Sequence, residues 1–294
     1  MATDHIQAID RFFRHEGEDW ETIKKDLKPL VNLINNSNEE YNLQIRQDCF
    51  NVYYQGNSLA QVRPKRNRVY AVVIHERFLS DSVREKLGMY SSSRQYKNGY
   101  VNFKVQGNDL RRFFQRNHLN SISGKIRMVH NGEEITMEQV MVTDNPPSVD
   151  FLIIDRQVAD HLNWARADLL ALKRGETGKY RFVVIEVKLG RNHELREKAG
   201  KQVSDYVEHI RNHIGDYTIC YQKNYEQKKQ LGLFDESMPD TIIIDRDIDS
   251  VEGIVVAGGY SKLAEENSRQ LQNAIRRNGW NIRVKQMPKM LLAD

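Results

Sequence analysis

A glutamate and a lysine stand close together near the end of an apolar stretch, Tyr180 to Gly190. The stretch is rich in β-branched and aromatic residues and ends in a glycine, which predicts a buried β-strand. Because side chains alternate across a strand, Glu186 and Lys188 project from one face and Val187 projects from the other. An unpaired charge in a protein interior is strongly unfavourable. The sequence therefore predicts that these two charged groups have a function.

Two further segments, one upstream and one downstream of this strand, carry polar residues within an apolar pattern. Upstream, the apolar stretch Arg166 to Leu172 predicts a second strand, interrupted by Asp168 near its start. Downstream, the pattern from Ala199 to Arg211 predicts an amphipathic helix. Gln202 and Tyr206 are four residues apart on that helix and so lie one above the other. The chain thus presents an aspartate on one strand, Glu-x-Lys on the next and Gln-x-x-x-Tyr on a helix.

This order of residues resembles the PD-(D/E)XK nuclease superfamily, in particular its RecB-like branch, which carries the Gln-x-x-x-Tyr helix. The segments Ile153–Val158, Ala167–Ala171 and Ile185–Leu189 are also similar to stand-alone endonucleases that cut branched or mismatched DNA. The resemblance extends from about Glu134 to Arg211 and is weaker beyond. It does not include the N-terminal part of the chain. It implies an α/β fold with a restriction-endonuclease-like mixed sheet flanked by helices.

Phosphodiester hydrolysis needs an activated water and neutralisation of phosphate charge. Carboxylates on adjacent strands offer oxygen ligands for a hard divalent ion, so Asp168 and Glu186 are predicted to bind a metal, with the Val187 carbonyl as a backbone ligand. Lys188 is predicted to orient or deprotonate the water and to stabilise developing negative charge. The resemblance implies that Gln202 and Tyr206 steady the lysine and the substrate phosphate. It also implies Mg²⁺ as the cofactor, with Mn²⁺ as a substitute.

Three other acidic residues compete for a place in this site. The pattern Thr136-Met-Glu-Gln139 fits a capping box that opens a helix containing Glu138. Related nucleases often carry a glutamate on the helix before the first core strand, so Glu138 is either a site residue or an exposed helical glutamate. Asp150 and Asp155 flank the predicted first core strand and are expected to be turn residues. His209 and His213 lack a third ligand, which argues against zinc.

The remaining pattern predicts the elements that position these residues. The turn Arg174 to Gly178 predicts a hairpin of the second and third core strands. Helices are predicted at His5–His15, Trp20–Ile34, Ser80–Leu87, Leu110–Leu119, Tyr217–Leu233 and Ser261–Ile275, and strands at Thr241–Ile244, Gly253–Ala257 and Asn281–Gln286. The region from Leu43 to His75 is strand-like, and its turn Arg63–Arg68 carries four basic residues in six. This turn is either a solvated hairpin tip or a phosphate contact.

Length and composition limit the remaining choices. A chain of 294 residues favours two domains, predicted at 1–128 (an α+β domain of unknown role) and 129–294 (the nuclease domain). A net charge of +4 is compatible with nucleic acid but too small to establish it. Two cysteines in no metal-binding spacing, no signal pattern and no apolar run of membrane-spanning length predict a cytoplasmic protein that does not bind membranes.

The sequence therefore predicts a metal-dependent DNA nuclease, and the resemblance implies a setting in restriction, repair or phage defence. The alternative is a non-catalytic nuclease-fold module that binds nucleic acid or a protein partner. RNA stays open as a substrate, and so does a requirement for a second copy of the chain or a partner subunit.

Overall fold

A computed structural model of the chain describes residues 8–14, 17–38, 40–95, 99–129, 132–160, 162, 166–259 and 261–287. The chain divides into two units. One comprises Arg11–Ile135 and Glu226–Asp235, and the other comprises Met1–Asp10, Thr136–Tyr225 and Glu236–Asp294. We call them the N-terminal unit and the C-terminal unit. The domains expected from sequence, 1–128 and 129–294, stay a prediction.

The N-terminal unit is built on an antiparallel sheet of six strands in the order β1-β2-β3-β4-β6-β5. Buried residues of helices α1 and α4, such as Leu27 and Ile122, share one apolar core with sheet residues such as Val62. The α+β character expected of this part of the chain is thus observed. The elements are α1 (Glu18–Asn35), β1 (Tyr41–Arg46), β2 (Cys49–Tyr54), β3 (Asn57–Lys65), β4 (Val69–His75), α2 (Asp81–Leu87), β5 (Ser91–Gln95), β6 (Tyr100–Gln106), α3 (Leu110–Phe113) and α4 (Arg116–Val129).

Two helix predictions in this region are wrong. Residues 8–14, the described part of the first predicted helix, are not helical. Phe13 instead packs its ring against Phe50, and the Gln227 side chain bonds both the N–H and the carbonyl of Phe13 at 2.8 Å. The apolar residues at helical spacing therefore belong to an irregular segment. In it, a side chain bonds the backbone N–H and carbonyl of Phe13. The predicted Leu110–Leu119 helix is two helices, α3 and α4.

The C-terminal unit contains a mixed sheet of five strands in the order β11-β10-β9-β8-β7. Strands β7, β8 and β9 are antiparallel, and β9, β10 and β11 are parallel. The α/β class and the mixed sheet flanked by helices are confirmed. The elements are α5 (Glu133–Thr143), β7 (Phe151–Val158), β8 (Ala167–Arg174), β9 (Tyr180–Leu189), α6 (Glu194–Glu197), α7 (Ala199–Asn212), α8 (Ile214–Gln230), β10 (Glu252–Gly258), α9 (Lys262–Asn278) and β11 (Ile282–Gln286).

Helices cover both faces of this sheet. Met137 and Met141 of α5 pack on the face formed by alternate residues such as Ile185 and Val187. On the other face, Phe182 makes edge-to-face ring contacts with Tyr217 and Tyr221 of α8. Helix α7 packs on the same sheet beside Gly253. The sheet core is therefore apolar on both sides, as a largely buried sheet requires.

Two local predictions differ from the structure of the C-terminal unit. Helix α5 begins at Glu133, so Thr136 lies inside it and does not form the predicted capping box. The predicted strand Thr241–Ile244 forms only a single bridge, between Ile244 and Tyr180. Among the described residues, no helix is long and apolar enough to cross a membrane.

Candidate active site

The register of the β8–β9 hairpin aligns two predicted site residues. The predicted hairpin is confirmed. Leu169 and Ile185 are the paired residues that lie farthest from its turn. Asp168 and Glu186 are each the next residue along, so they stand on facing strands. The Val187 N–H donates a hydrogen bond of 2.8 Å to Asp168 Oδ2. This bond fixes the Asp168 carboxylate against the strand that carries Glu186.

Glu186 and Lys188 form an ion pair that is largely withdrawn from solvent. The Lys188 Nζ lies 2.9 Å from Glu186 Oε1, and the two side chains are 11% and 8% exposed. Lys188 Nζ also lies 4.0 Å from Glu194 Oε2 of α6. Burial, followed by the repulsion of Asp168, raises the pKa of Glu186 to about 7, although Lys188 opposes the rise. One lysine thus does not neutralise the negative charge around it.

Glu138 belongs to the same electrostatic cluster. Its side chain is buried, so the alternative prediction of an exposed helical glutamate is wrong. The Gln157 Nε2 donates to both oxygens of its carboxylate, at 2.9 and 2.8 Å, and Arg156 Nη2 lies 3.5 Å from Oε2. Burial and then the charge of Asp168 raise the pKa of Glu138 to about 7. A helix thereby adds a third carboxylate that interacts with those of Asp168 and Glu186.

Two residues of β7 were missed by sequence reasoning. Gln157 lies between the pairs Arg156–Leu169 and Val158–Ala167, which places it opposite Asp168 on the neighbouring strand. Its φ of 50° is the left-handed conformation, an uncommon choice for a glutamine in a strand and typical of functional sites. Arg156 is completely buried, and its Nη1 donates to Gln139 Oε1 at 3.0 Å. Three consecutive polar residues inside the segment Ile153–Val158 were the available signal.

The two residues of the Gln-x-x-x-Tyr spacing on α7 lie in different environments. Tyr206 is buried, and its hydroxyl donates a 2.6 Å hydrogen bond to the Val158 carbonyl at the end of β7. This contact joins α7 to the strand that carries Gln157. The Gln202 side chain is exposed. The roles predicted for these two residues at the lysine and the phosphate stay predictions.

Asp155 is not a turn residue, so that prediction is wrong. It lies within β7, where the register shifts between Ile153 and Asp155, and it is completely buried. Its Oδ2 accepts from the Tyr221 hydroxyl at 3.0 Å and its Oδ1 from the Arg156 N–H at 2.7 Å. A bulge with these partners lets a strand contain a buried acid. Asp150 lies in an exposed bend before β7, as expected.

The donor set fits a divalent ion only in part. Within the described ranges, no group of three or more His, Cys, Asp or Glu side chains is arranged to hold a metal. Asp168 and Glu186 supply carboxylate oxygens, and their crowding with Glu138 leaves negative charge that a cation would neutralise. A Mg²⁺ ion commonly keeps several waters and takes one or two carboxylates from a protein. The residues present therefore fit such an ion through two carboxylates, with the Val187 carbonyl as a predicted third ligand.

The histidine pair on α7 is tied into a separate network. The His209 Nε2 bonds Asp160 Oδ2, which also accepts from the Tyr217 hydroxyl at 2.9 Å. The His209 and His213 rings lie 4.8 Å apart. These contacts give His209 a structural role at the end of β7.

Comparison with known proteins adds little to this geometry. No family model and no curated protein matches the chain. A solved structure described as EndoMS in its apo form is 12% identical, covers 85% of this chain and 78% of its own, and has a TM-score of 0.24. A similarity of that size supports no inference about function.

Proposed function

We propose that the protein is a metal-dependent nuclease that hydrolyses phosphodiester bonds of DNA. The observation that carries the proposal is the placement of Asp168 and Glu186 on facing strands, with Lys188 in contact with Glu186. A pair of acids and a lysine on adjacent strands can hold a divalent ion and stabilise negative charge on a phosphate. The sequence resemblance named above supports the same reaction. Glu138, buried beside these residues, extends the acidic cluster.

Each residue has a role that follows from its position. A bound Mg²⁺ or Mn²⁺ would supply a water of lowered pKa and neutralise phosphate charge. Asp168 is oriented by the Val187 N–H, so its carboxylate is held ready as a ligand. Lys188 lies two residues from Glu186 on the same face of β9, where its ammonium can position a water and stabilise negative charge on the phosphate. Gln157 holds the Glu138 carboxylate through both of its oxygens.

The test is cleavage of supercoiled, linear and single-stranded DNA, and of RNA, by the purified full chain with Mg²⁺, Mn²⁺ or EDTA. We expect cutting that requires the metal and that falls at least about 100-fold in Lys188→Ala and Asp168→Ala, a size typical for loss of a charge-stabilising group. Lys179→Ala and Glu176→Ala are the matched controls. They change exposed residues of the same hairpin at its turn and should cut as the wild type does.

Two outcomes would contradict the proposal. Cutting that persists in both site variants would place the activity elsewhere or in a contaminant. Absence of cutting on every substrate, together with no metal binding by calorimetry, would favour a module that binds without cutting. Cutting of RNA but not of DNA would support the proposed site and show that the substrate is RNA.

A further inference from the structure

The two units contain similar numbers of basic residues but differ in net charge. The N-terminal unit contains 23 Lys and Arg against 16 Asp and Glu, a net charge of +7. The C-terminal unit contains 21 against 24, a net charge of −3. The unit that carries the candidate active site is thus acidic overall. If the substrate is a polyanion, the N-terminal unit offers the larger net electrostatic attraction to it.

A groove in the N-terminal unit collects part of this excess. A cavity of about 580 Å³ lies between α1 and the segment that joins α3 to α4. It is lined by Lys25 and Lys28 of α1, by Arg111 of α3 and by Arg116 at the start of α4. All four side chains are exposed, and among the described residues no Asp or Glu lines the cavity. We call these four residues and the cavity between them the basic groove.

The groove continues into a second cavity of about 510 Å³, which shares Leu33 and Arg116 with the first. Its lining includes Asn36, Asn38 and Asn120, and Glu40 is the one carboxylate among the described residues there. Amide groups donate to phosphate and sugar oxygens and can also reach base edges. The combined surface therefore offers cations at one end and neutral hydrogen-bonding groups at the other.

The crowding of cations is unfavourable for the unit by itself. Lys25 and Lys28 are three residues apart on α1, so their like charges are neighbours and repel. Arg116 stands in the first turn of α4, where the helix dipole disfavours a cation, and no acidic residue shares that turn. In the described part of the chain, none of the four lining cations forms an ion pair. An anion in the groove would remove both penalties.

The basic turn Arg63–Arg68 is a weaker candidate for the same role. Arg63 donates to the Gln47 carbonyl at 3.4 Å, and Arg68 is paired with the buried Asp26. Lys65 and Arg66, the other two basic residues of the turn, are exposed, and their side chains form no hydrogen bond or ion pair within the described part of the chain. Two of the four basic residues of the turn therefore stabilise the fold around the turn, whereas none of the four groove cations forms an ion pair within the described residues.

We propose that the basic groove binds the phosphate backbone of a nucleic acid, which gives the N-terminal unit the role of substrate binding. The choice of nucleic acid as the polyanion rests on the proposed nuclease function. The groove itself rests on charge complementarity: four cations and several amides line one concavity that a phosphodiester chain can follow. Its contribution is electrostatic and independent of base sequence.

The test measures binding of the full chain to a short fluorescein-labelled DNA duplex by anisotropy, in EDTA so that no cutting occurs, at salt concentrations between about 50 and 200 mM. One variant removes the four groove cations together. A matched variant removes four exposed cations of the same unit outside the groove, two of them from the basic turn. The groove changes are Lys25→Ala, Lys28→Ala, Arg111→Ala and Arg116→Ala, and the control changes are Lys65→Ala, Arg66→Ala, Lys86→Ala and Lys104→Ala.

The groove variant should bind at least about tenfold more weakly than the control variant, and the slope of log K against log salt should become shallower by about 3 to 4, since each lost phosphate contact removes about 0.9. Equal binding by the groove variant and the wild type would overturn the proposal. A loss confined to the control variant would also overturn the proposal and place binding at cations outside the groove, and equal losses in both variants would overturn it by showing no defined site. Groove-dependent binding without cutting would overturn only the nuclease function.

Discussion

Burial and mutual repulsion set the protonation of the two glutamates in the candidate site. Glu138 and Glu186 both have a pKa raised to about 7, first by burial and then by Asp168. The folded state therefore keeps protons that the unfolded chain releases above about pH 4.5. Because the native state binds more protons in this window, the free energy of unfolding falls as the pH rises from about 4.5 to 7 and is level above that.

We expect Glu138→Gln to be as stable as the wild type at pH 4 and more stable at pH 8, by up to about 3 kcal/mol, since each pKa unit corresponds to about 1.4 kcal/mol. The measurement is urea unfolding in EDTA at a series of pH values. Glu176→Gln, an exposed carboxylate of the β8–β9 turn, is the control and should keep the wild-type slope. An unchanged pH dependence in Glu138→Gln would show that this carboxyl ionises normally.

Some of these residues could be predicted from the sequence and others could not, for a physical reason. Asp168, Glu186 and Lys188 stand out because charge inside an apolar strand is costly, a signal that local sequence carries. The burial of Glu138 depends on where α5 packs, and the turn-like expectation for Asp155 failed because its partner Tyr221 is on α8. Contacts between residues distant in sequence decide both cases. Gln157 was missed because its φ of 50° is a property of the folded backbone.

At the scale of elements, helix α7 approaches the sheet closely at β10, the strand next to β9. A Cβ added at Gly253 of β10 would lie 2.4 Å from Val203 Cγ1 and 3.1 Å from Ile282 Cγ1. Val203 is β-branched and buried, so it has little freedom to move aside. Glycine at this position lets helix and sheet touch.

Gly253→Ala should therefore lower the free energy of unfolding by about 1 to 3 kcal/mol, the usual cost of overpacking a core. Val203→Ala in the same chain should recover part of that loss, because it removes the atom that the new methyl meets. Gly215→Ala is the matched control, since a Cβ there meets nothing within 4 Å. Urea unfolding of the wild type, Gly253→Ala, Val203→Ala and the double variant measures the coupling, and Gly215→Ala is measured beside them. Additive effects of the two changes would contradict the proposed contact.

The core strands were predicted well because long apolar runs with clear turns determine them locally. Strand β9 occupies Tyr180–Leu189, as predicted, and the turn Gly175–Gly178 closes the hairpin. The predicted helix at His5–His15 failed in its described part because the same apolar spacing suits an irregular segment bonded by Gln227. That partner lies more than two hundred positions away in sequence, beyond the reach of any local pattern.

At the scale of the whole molecule, the N-terminal unit needs a segment from far along the chain. Residues Glu226–Asp235 belong to it, and several of their side chains contact its other parts, including Gln227, which bonds Phe13. Lys228 Nζ donates to Gln44 Oε1 at 2.6 Å, and Gln230 Oε1 accepts from Trp20 Nε1 at 2.5 Å. Leu231 is buried in the core of the same unit. A fragment that stops at residue 135 lacks all of these contacts.

The fragment 11–135 should therefore be less stable than the same fragment extended by a flexible glycine-serine linker and residues 226–235. Loss of Leu231 from the core and of the partners of Gln44 and Trp20 should cost several kcal/mol in total, since burying an unpaired polar group costs about 1 to 3 kcal/mol and truncating a buried leucine about 2 to 5. Urea unfolding followed by tryptophan fluorescence compares the two, because Trp20 reports on the contact directly. A linked segment carrying Leu231→Ala and Lys228→Ala is the control that should stabilise less. Equal midpoints for all three fragments would show that the N-terminal residues fold as a domain without the later segment, as the sequence-based boundary at 128 requires.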